Sequence, residues 1–141
     1  MTASGPRNGT RTVLVVEDEP AIRGLLSLTL ESEDYHVTTA RDGHEALSRI
    51  RDQKPDVIVL DLILPDLDGW TFIRSLEQEG TRRQIPIIAI SAGVKRTTVG
   101  EHGVKAFLSK PFDLEALLVV LDHLLHEGTP GDGIPQSSPP R

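Results

Sequence analysis

Asp61 ends an apolar run, Asp56-Val57-Ile58-Val59-Leu60, and opens a turn punctuated by proline and glycine, Leu62-Ile63-Leu64-Pro65-Asp66-Leu67-Asp68-Gly69. A carboxylate at such a junction can serve as a nucleophile or as a metal ligand. A second apolar run, Thr12-Val13-Leu14-Val15-Val16, leads directly into Glu17-Asp18-Glu19. Two further runs end near other reactive types, Ile87 to Ile90 at the hydroxyl of Ser91 and Ala106 to Leu108 just before Lys110-Pro111. Ligands of open parallel sheets bind outside the carboxyl ends of the strands, and only a shared carboxyl edge makes these residues neighbours. Three carboxylates gathered there repel one another, so they raise each other's pKa or recruit a hard divalent cation, for which Mg2+ is the natural choice.

The elements that must position these groups alternate. Thr12 to Val16, Asp56 to Leu60 and Ile87 to Ile90 are rich in Val and Ile without polar alternation, the pattern of parallel strands buried on both faces. Tyr35 to Thr39 and Ala106 to Leu108 complete a set of five. Between them, Ala21 to Glu33 carries Ile22, Leu25, Leu26 and Leu30 at helical spacing behind Pro20. Asp42 reads as the N-cap of a helix bearing Ala46, Leu47 and Ile50 that Pro55 ends, and Trp70 to Gln78 as a shorter helix before Gly80. Asp113 caps a last helix with a stripe of Leu114, Leu117, Leu118, Leu121 and Leu125, stopped by Gly128. The span from Ser91 to Phe107 crowds Gly93, Thr97, Thr98, Val99, Gly100 and Gly103, so the helix due there is expected to be short or frayed. Strands alternating with helices predict an α/β sheet.

Composition narrows the function classes. A chain of 141 residues with 38% hydrophobic content suits one domain, assigned to residues 11–127, between a disordered arm at 1–10 and a disordered Gly/Pro/Ser-rich tail at 128–141. A net charge of −6 without any basic run argues against non-specific nucleic-acid or anionic-membrane binding and favours protein partners or a cation. The absence of cysteine removes disulfides and thiolate zinc sites. No signal-peptide core stands in the first ten residues and no apolar stretch nears about 18 residues, so a cytoplasmic protein is expected.

Glu17-Asp18, Asp61, Ser91 and Lys110-Pro111 at successive strand ends, with the Asp61–Gly69 turn and Phe107-Leu-Ser-Lys-Pro-Phe112, closely resemble the receiver domain of two-component response regulators over roughly Arg11 to Glu127. The resemblance implies a flavodoxin-like, doubly wound parallel sheet of order 2-1-3-4-5 with helices on both faces. It further implies that Asp61 attacks the phosphorus of a phosphohistidine and carries the phosphoryl group as an acyl phosphate. Asp18 and Asp61 would bind Mg2+ directly, Glu17 through water, and Ile63 through its backbone carbonyl. Lys110 and Ser91 would contact phosphoryl oxygens, Phe107 would be the switch aromatic, and the Lys110-Pro111 bond would be cis. Partners would be a sensor histidine kinase or histidine phosphotransfer domain and a downstream protein, with no DNA-binding domain in the chain. The expected role is that of a stand-alone phosphorelay signalling module whose only chemistry is self-catalysed phosphotransfer and dephosphorylation, so not an enzyme in the ordinary sense. Relatives run about one helical turn longer between Ser91 and Lys110, which makes this chain's output surface there atypical.

Other readings attach to the same residues. A phosphatase of the haloacid dehalogenase type also uses an Asp after a strand but needs a second Asp two residues on, where this chain has Ile63. A degenerate receiver that binds partners without phosphorylation would lack reactive residues that are all present here. Asp66 and Asp68 are expected to shape the turn, with Gly69 allowing a positive φ, and Trp70 to pack. Glu19 and the five histidines, His36, His44, His102, His123 and His126, read as solvated. Val119, Val120 and Leu124 widen the apolar stripe of the last helix into a face that a second copy could dock on.

Overall fold

A computed structural model of the chain describes residues 10–79, 85–92 and 103–127. The disordered arm (apart from Thr10), the tail and the frayed helix expected after Ser91 fall on residues outside those described, as does His102. The elements are β1 (Thr12–Val16), α1 (Pro20–Ser32), β2 (His36–Ala40), α2 (Gly43–Asp52), β3 (Val57–Asp61), α3 (Gly69–Glu79), β4 (Ile87–Ser91), β5 (Val104–Ser109) and α4 (Leu114–Asp122), the last running into a π-helical turn, His123–Glu127. All neighbouring strands pair in parallel, in the order β2-β1-β3-β4-β5.

Successive side chains of a strand point to opposite faces, so two apolar layers form from one sheet. Leu14, Val16, Ile58, Leu60 and Ala89 join Ala46, Leu47 and Ile50 of α2 and Phe72, Ile73 and Leu76 of α3. Val13, Val15, Val57, Val59, Ile88 and Ile90 meet Leu26 and Leu30 of α1 and Leu117, Leu121 and Leu125 of α4. The absence of polar alternation in β1, β3 and β4 follows directly, because neither of their faces meets water. Truncating one of these fully buried leucines to alanine costs about 2–5 kcal/mol, so the sheet is a rigid platform for what its edge carries.

Several boundaries differ from the sequence reading, each for a physical reason. β2 begins at His36 because Tyr35 turns its N–H back to the Leu30 carbonyl and buries its ring beside α1 and α4. Asp56 lies outside β3, where its Oδ2 accepts the Thr12 N–H at 2.7 Å and ties the start of β1 to its neighbour. β5 starts two residues earlier than expected, since a register shift lets Val104 and Ala106 pair with consecutive residues Ile87 and Ile88 and leaves Lys105 as the extra residue. Gly69 is not at positive φ. A Cβ there would stand 2.7 Å from the Leu62 Cα, so glycine serves close approach of α3 to the turn. Val120 of α4 and Leu124 of the π-helical turn are partly buried against the α1 layer and Val119 is the exposed member, which narrows the expected docking face.

Candidate functional site

β1 and β3 are adjacent in the sheet, yet their following helices cover opposite faces, and the chain parts outside their carboxyl ends. Into that crevice β1 delivers Glu17 and Asp18, and β3 delivers Asp61 as its final residue. Carboxylate oxygens of these three residues lie within 4.8 Å of one another. Glu17 is fully buried and Asp61 nearly so, whereas Asp18 is exposed and faces the mouth. The trio proposed from sequence as neighbours is therefore one cluster.

Lys110, just past β5, reaches across to it. Its Nζ lies 3.0 Å from Asp61 Oδ2 and 2.9 Å from Glu17 Oε1. The first contact is a directed hydrogen bond; the second is ionic only, and Glu17 Oε1 remains buried without a well-aligned donor. Burial raises the Glu17 pKa and the Asp61 charge adds to it, against the opposing pull of Lys110 and the Glu19 N–H. For Lys110, burial acts to lower the pKa, but the two carboxylates outweigh it and the ammonium is held above its ordinary value. Three carboxylates thus face one ammonium, with all-oxygen donors and an under-satisfied buried oxygen, which suits a hard divalent cation.

Ser91 is the last residue of β4 and fully buried, its Oγ donating to the Ala92 carbonyl at 3.3 Å. Its own carbonyl accepts the Lys110 N–H at 3.0 Å, so the hydroxyl and the lysine sit on one pair of strand ends. Phe107 packs inward with the α2 and α3 layer. The Ile63 side chain is exposed while its N–H donates to Asp61 Oδ1 at 2.9 Å. The Lys110-Pro111 peptide bond is cis.

Three features escaped the sequence reading. Besides the Leu67 N–H of its own turn at 2.8 Å, Asp66 accepts from Gly43 N–H at 2.9 Å and His44 N–H at 3.0 Å, capping the start of α2 from 22 or 23 residues away. Its partners include the His44 ring, so His44 is an exposed but paired residue rather than a solvated one. Partial burial works against ionisation of Asp66, yet the N–H groups of Gly43, His44 and Leu67 and the His44 ring outweigh it and bring its pKa from 3.8 to about 2. Asp68 caps α3 locally through the Thr71 N–H at 2.8 Å, which holds its pKa down. Arg23 of α1 donates to the carbonyls of Glu17 and Asp18. A helix residue five or six positions downstream with a long cationic side chain was the available signal for that contact, and it is too common to single out.

Similarity to known proteins agrees with this geometry. The response regulator receiver domain family matches residues 13–122. Response regulator MprA of Mycolicibacterium vanbaalenii is 38% identical over 127 residues, which covers 89% of this chain and 55% of the relative. The chain spans about half the length of the curated relatives it matches. Among solved structures, a Francisella response regulator receiver domain superposes with a TM-score of 0.77 at 28% identity, covering 85% of this chain and all of that one. Chemotaxis response regulator CheY4 of Vibrio cholerae gives 0.75 at 31% identity over 82% of this chain and 99% of its own. The strand order, the acidic crevice and the matched span coincide, and the chain belongs to the receiver domain family of two-component response regulators, whose function is phosphorylation-dependent signalling.

Proposed function

We propose that Asp61 accepts a phosphoryl group from the phosphohistidine of a sensor histidine kinase or a histidine phosphotransfer domain. The observation that carries this reading is a nearly buried carboxylate beside a lysine ammonium at 3.0 Å, in a cluster with two further carboxylates. An Asp61 oxygen forms the new P–O bond as the P–N bond breaks, and the electron pair leaves on the imidazole nitrogen. Asp18 and Asp61, with the Ile63 carbonyl and with Glu17 acting through water, would hold Mg2+. Bound there, the cation would offset the charge of the phosphoryl oxygens.

Lys110 then exchanges a carboxylate partner for a phosphoryl oxygen, and the Ser91 hydroxyl turns from the Ala92 carbonyl to another. These contacts exist only in the phosphorylated form, so they bias a two-state equilibrium in which β4's end shifts and Phe107 rotates within its pocket. Output passes to a downstream protein by contact, in the cytoplasm. The chain catalyses only its own phosphorylation and the hydrolysis of its own acyl phosphate, and is not a turnover enzyme. Among the described residues, no helix is long and apolar enough to cross a membrane.

Incubation with acetyl phosphate, with and without Mg2+, followed by intact mass, tests the proposal. Wild type is expected to gain one phosphoryl group only with Mg2+, and Asp61→Asn none. An adduct on the Asn variant, or none on wild type, overturns it.

A further inference from the structure

The backbone that presents Glu17 and Asp18 is held from outside its own loop. Arg23 lies one turn into α1, and its Nη1 donates to the Glu17 carbonyl at 2.9 Å and to the Asp18 carbonyl at 3.3 Å. Two further hydrogen bonds accompany it, the Glu17 N–H to the Ala40 carbonyl at 3.0 Å and the Glu19 N–H to Glu17 Oε2 at 3.1 Å, but neither reaches Asp18. No described residue donates to the Asp18 carboxylate, so its direction depends on the backbone beneath it. A three-carboxylate cluster tends to splay apart by repulsion, and a donor fixed to the two carbonyls opposes that motion.

We infer that Arg23 is a positioning residue for the divalent cation: it clamps the β1–α1 loop so that Glu17 and Asp18 face Asp61 before the cation arrives. The inference rests on reading Glu17, Asp18 and Asp61 as the cation-binding set. Two effects of Arg23 have opposite signs, which makes it testable. Its positive charge repels an incoming cation, so charge alone predicts tighter binding when it is removed. Its hydrogen bonds pre-order ligands, so positioning predicts weaker binding when they are removed.

Mg2+ is titrated into the metal-free full chain without any phosphodonor, followed by calorimetry and Trp70 fluorescence. Arg23→Met, which keeps the stem but loses the donors and the charge, is expected to bind Mg2+ about 10-fold more weakly. Arg23→Lys, which keeps a donor and the charge, is expected to recover to within roughly 3-fold of wild type. The phosphorylation rate of Arg23→Met at saturating Mg2+ is expected to return to about the wild-type rate, because only ground-state ordering was lost. A purely structural residue would instead lower stability in EDTA and leave the Mg2+ affinity of the folded protein unchanged. Unchanged or tighter binding by Arg23→Met overturns the inference, and Arg23→Gln decides the same question if the Met variant does not fold. Failure of wild type itself to bind Mg2+ overturns it together with the reading beneath it, whereas wild-type binding with an indifferent Arg23→Met overturns the inference alone.

Discussion

Asp61 and Asp66 stand five residues apart on one turn, and their carboxylates are treated in opposite ways. Asp66 is surrounded by donors: three backbone N–H groups and the His44 ring converge on it. Asp61 receives one N–H and one shared ammonium, and its nearest anionic neighbours, Glu17 and Asp18, are no better supplied. The donors around Asp66 outweigh its desolvation and pull its pKa down to about 2, whereas burial, with the Asp61 charge added to it, pushes Glu17 up. A carboxylate whose lone pairs are filled by the fold holds the fold together. A carboxylate whose lone pairs are left short retains affinity for something the fold does not supply.

Substitutions on the two sides should therefore separate. Asp18→Asn is expected to weaken Mg2+ binding at least about 10-fold, while its metal-free urea midpoint stays at or above wild type because one like charge has left the cluster. A wild-type Mg2+ titration would move Asp18 into the structural class with Asp66. Gly69→Ala puts a Cβ against the Leu62 backbone and should lose about 1–3 kcal/mol in urea unfolding. That variant tests whether the turn between the two acids is as tightly packed as it appears, and an unchanged midpoint would show that it yields.

Asp66→Ala removes a cap and should cost about 1 kcal/mol, with the phosphoryl yield on Asp61 preserved; a lost yield with intact folding would erase the distinction between the two acids. The pH dependence sharpens it. Asp66 has a folded pKa below its unfolded value, so its contribution is complete above about pH 4 and is lost as the pH falls through about 2. The stability gap between wild type and Asp66→Asn, measured by urea unfolding at successive pH values, should close across that window; a constant gap would mean that ionisation of Asp66 does not support the fold. The smallest effect is expected far from both acids. Val119→Glu on the exposed side of α4 should change stability by less than about 0.5 kcal/mol, and Val120→Glu, partly buried against α1, by clearly more. Light scattering of the Val119→Glu protein shows in addition whether a second copy docks on that face, a lower mass than wild type being the result that supports it.

Local pattern made much of the platform legible. The unbroken Val/Ile runs of β1, β3 and β4 could be read because a strand buried on both faces has no polar positions to confuse its period. The Asp42 cap was legible for a similar reason, since its side chain accepts from Glu45 N–H at 2.8 Å, three residues away. β5 was less legible. Its start depends on a register shift against β4, and the exposed Lys105 in its midst, the unpaired extra residue, interrupts the apolar run.

The chemistry divides along the same line. Sequence alone determined that Glu17, Asp18, Asp61, Ser91 and Lys110 lie at strand ends, because strand length and the turn residues after it are local properties of the chain. Tertiary structure decided what each group touches. Lys110 meets Asp61 across 49 positions, Asp66 caps α2 across 23, and Arg23 turns back from a helix onto the carbonyls of Glu17 and Asp18. Those contacts depend on how loops from separate strands approach one another once the sheet has packed, and hydrogen-bond directions of a few ångströms carry no period that a sequence could display.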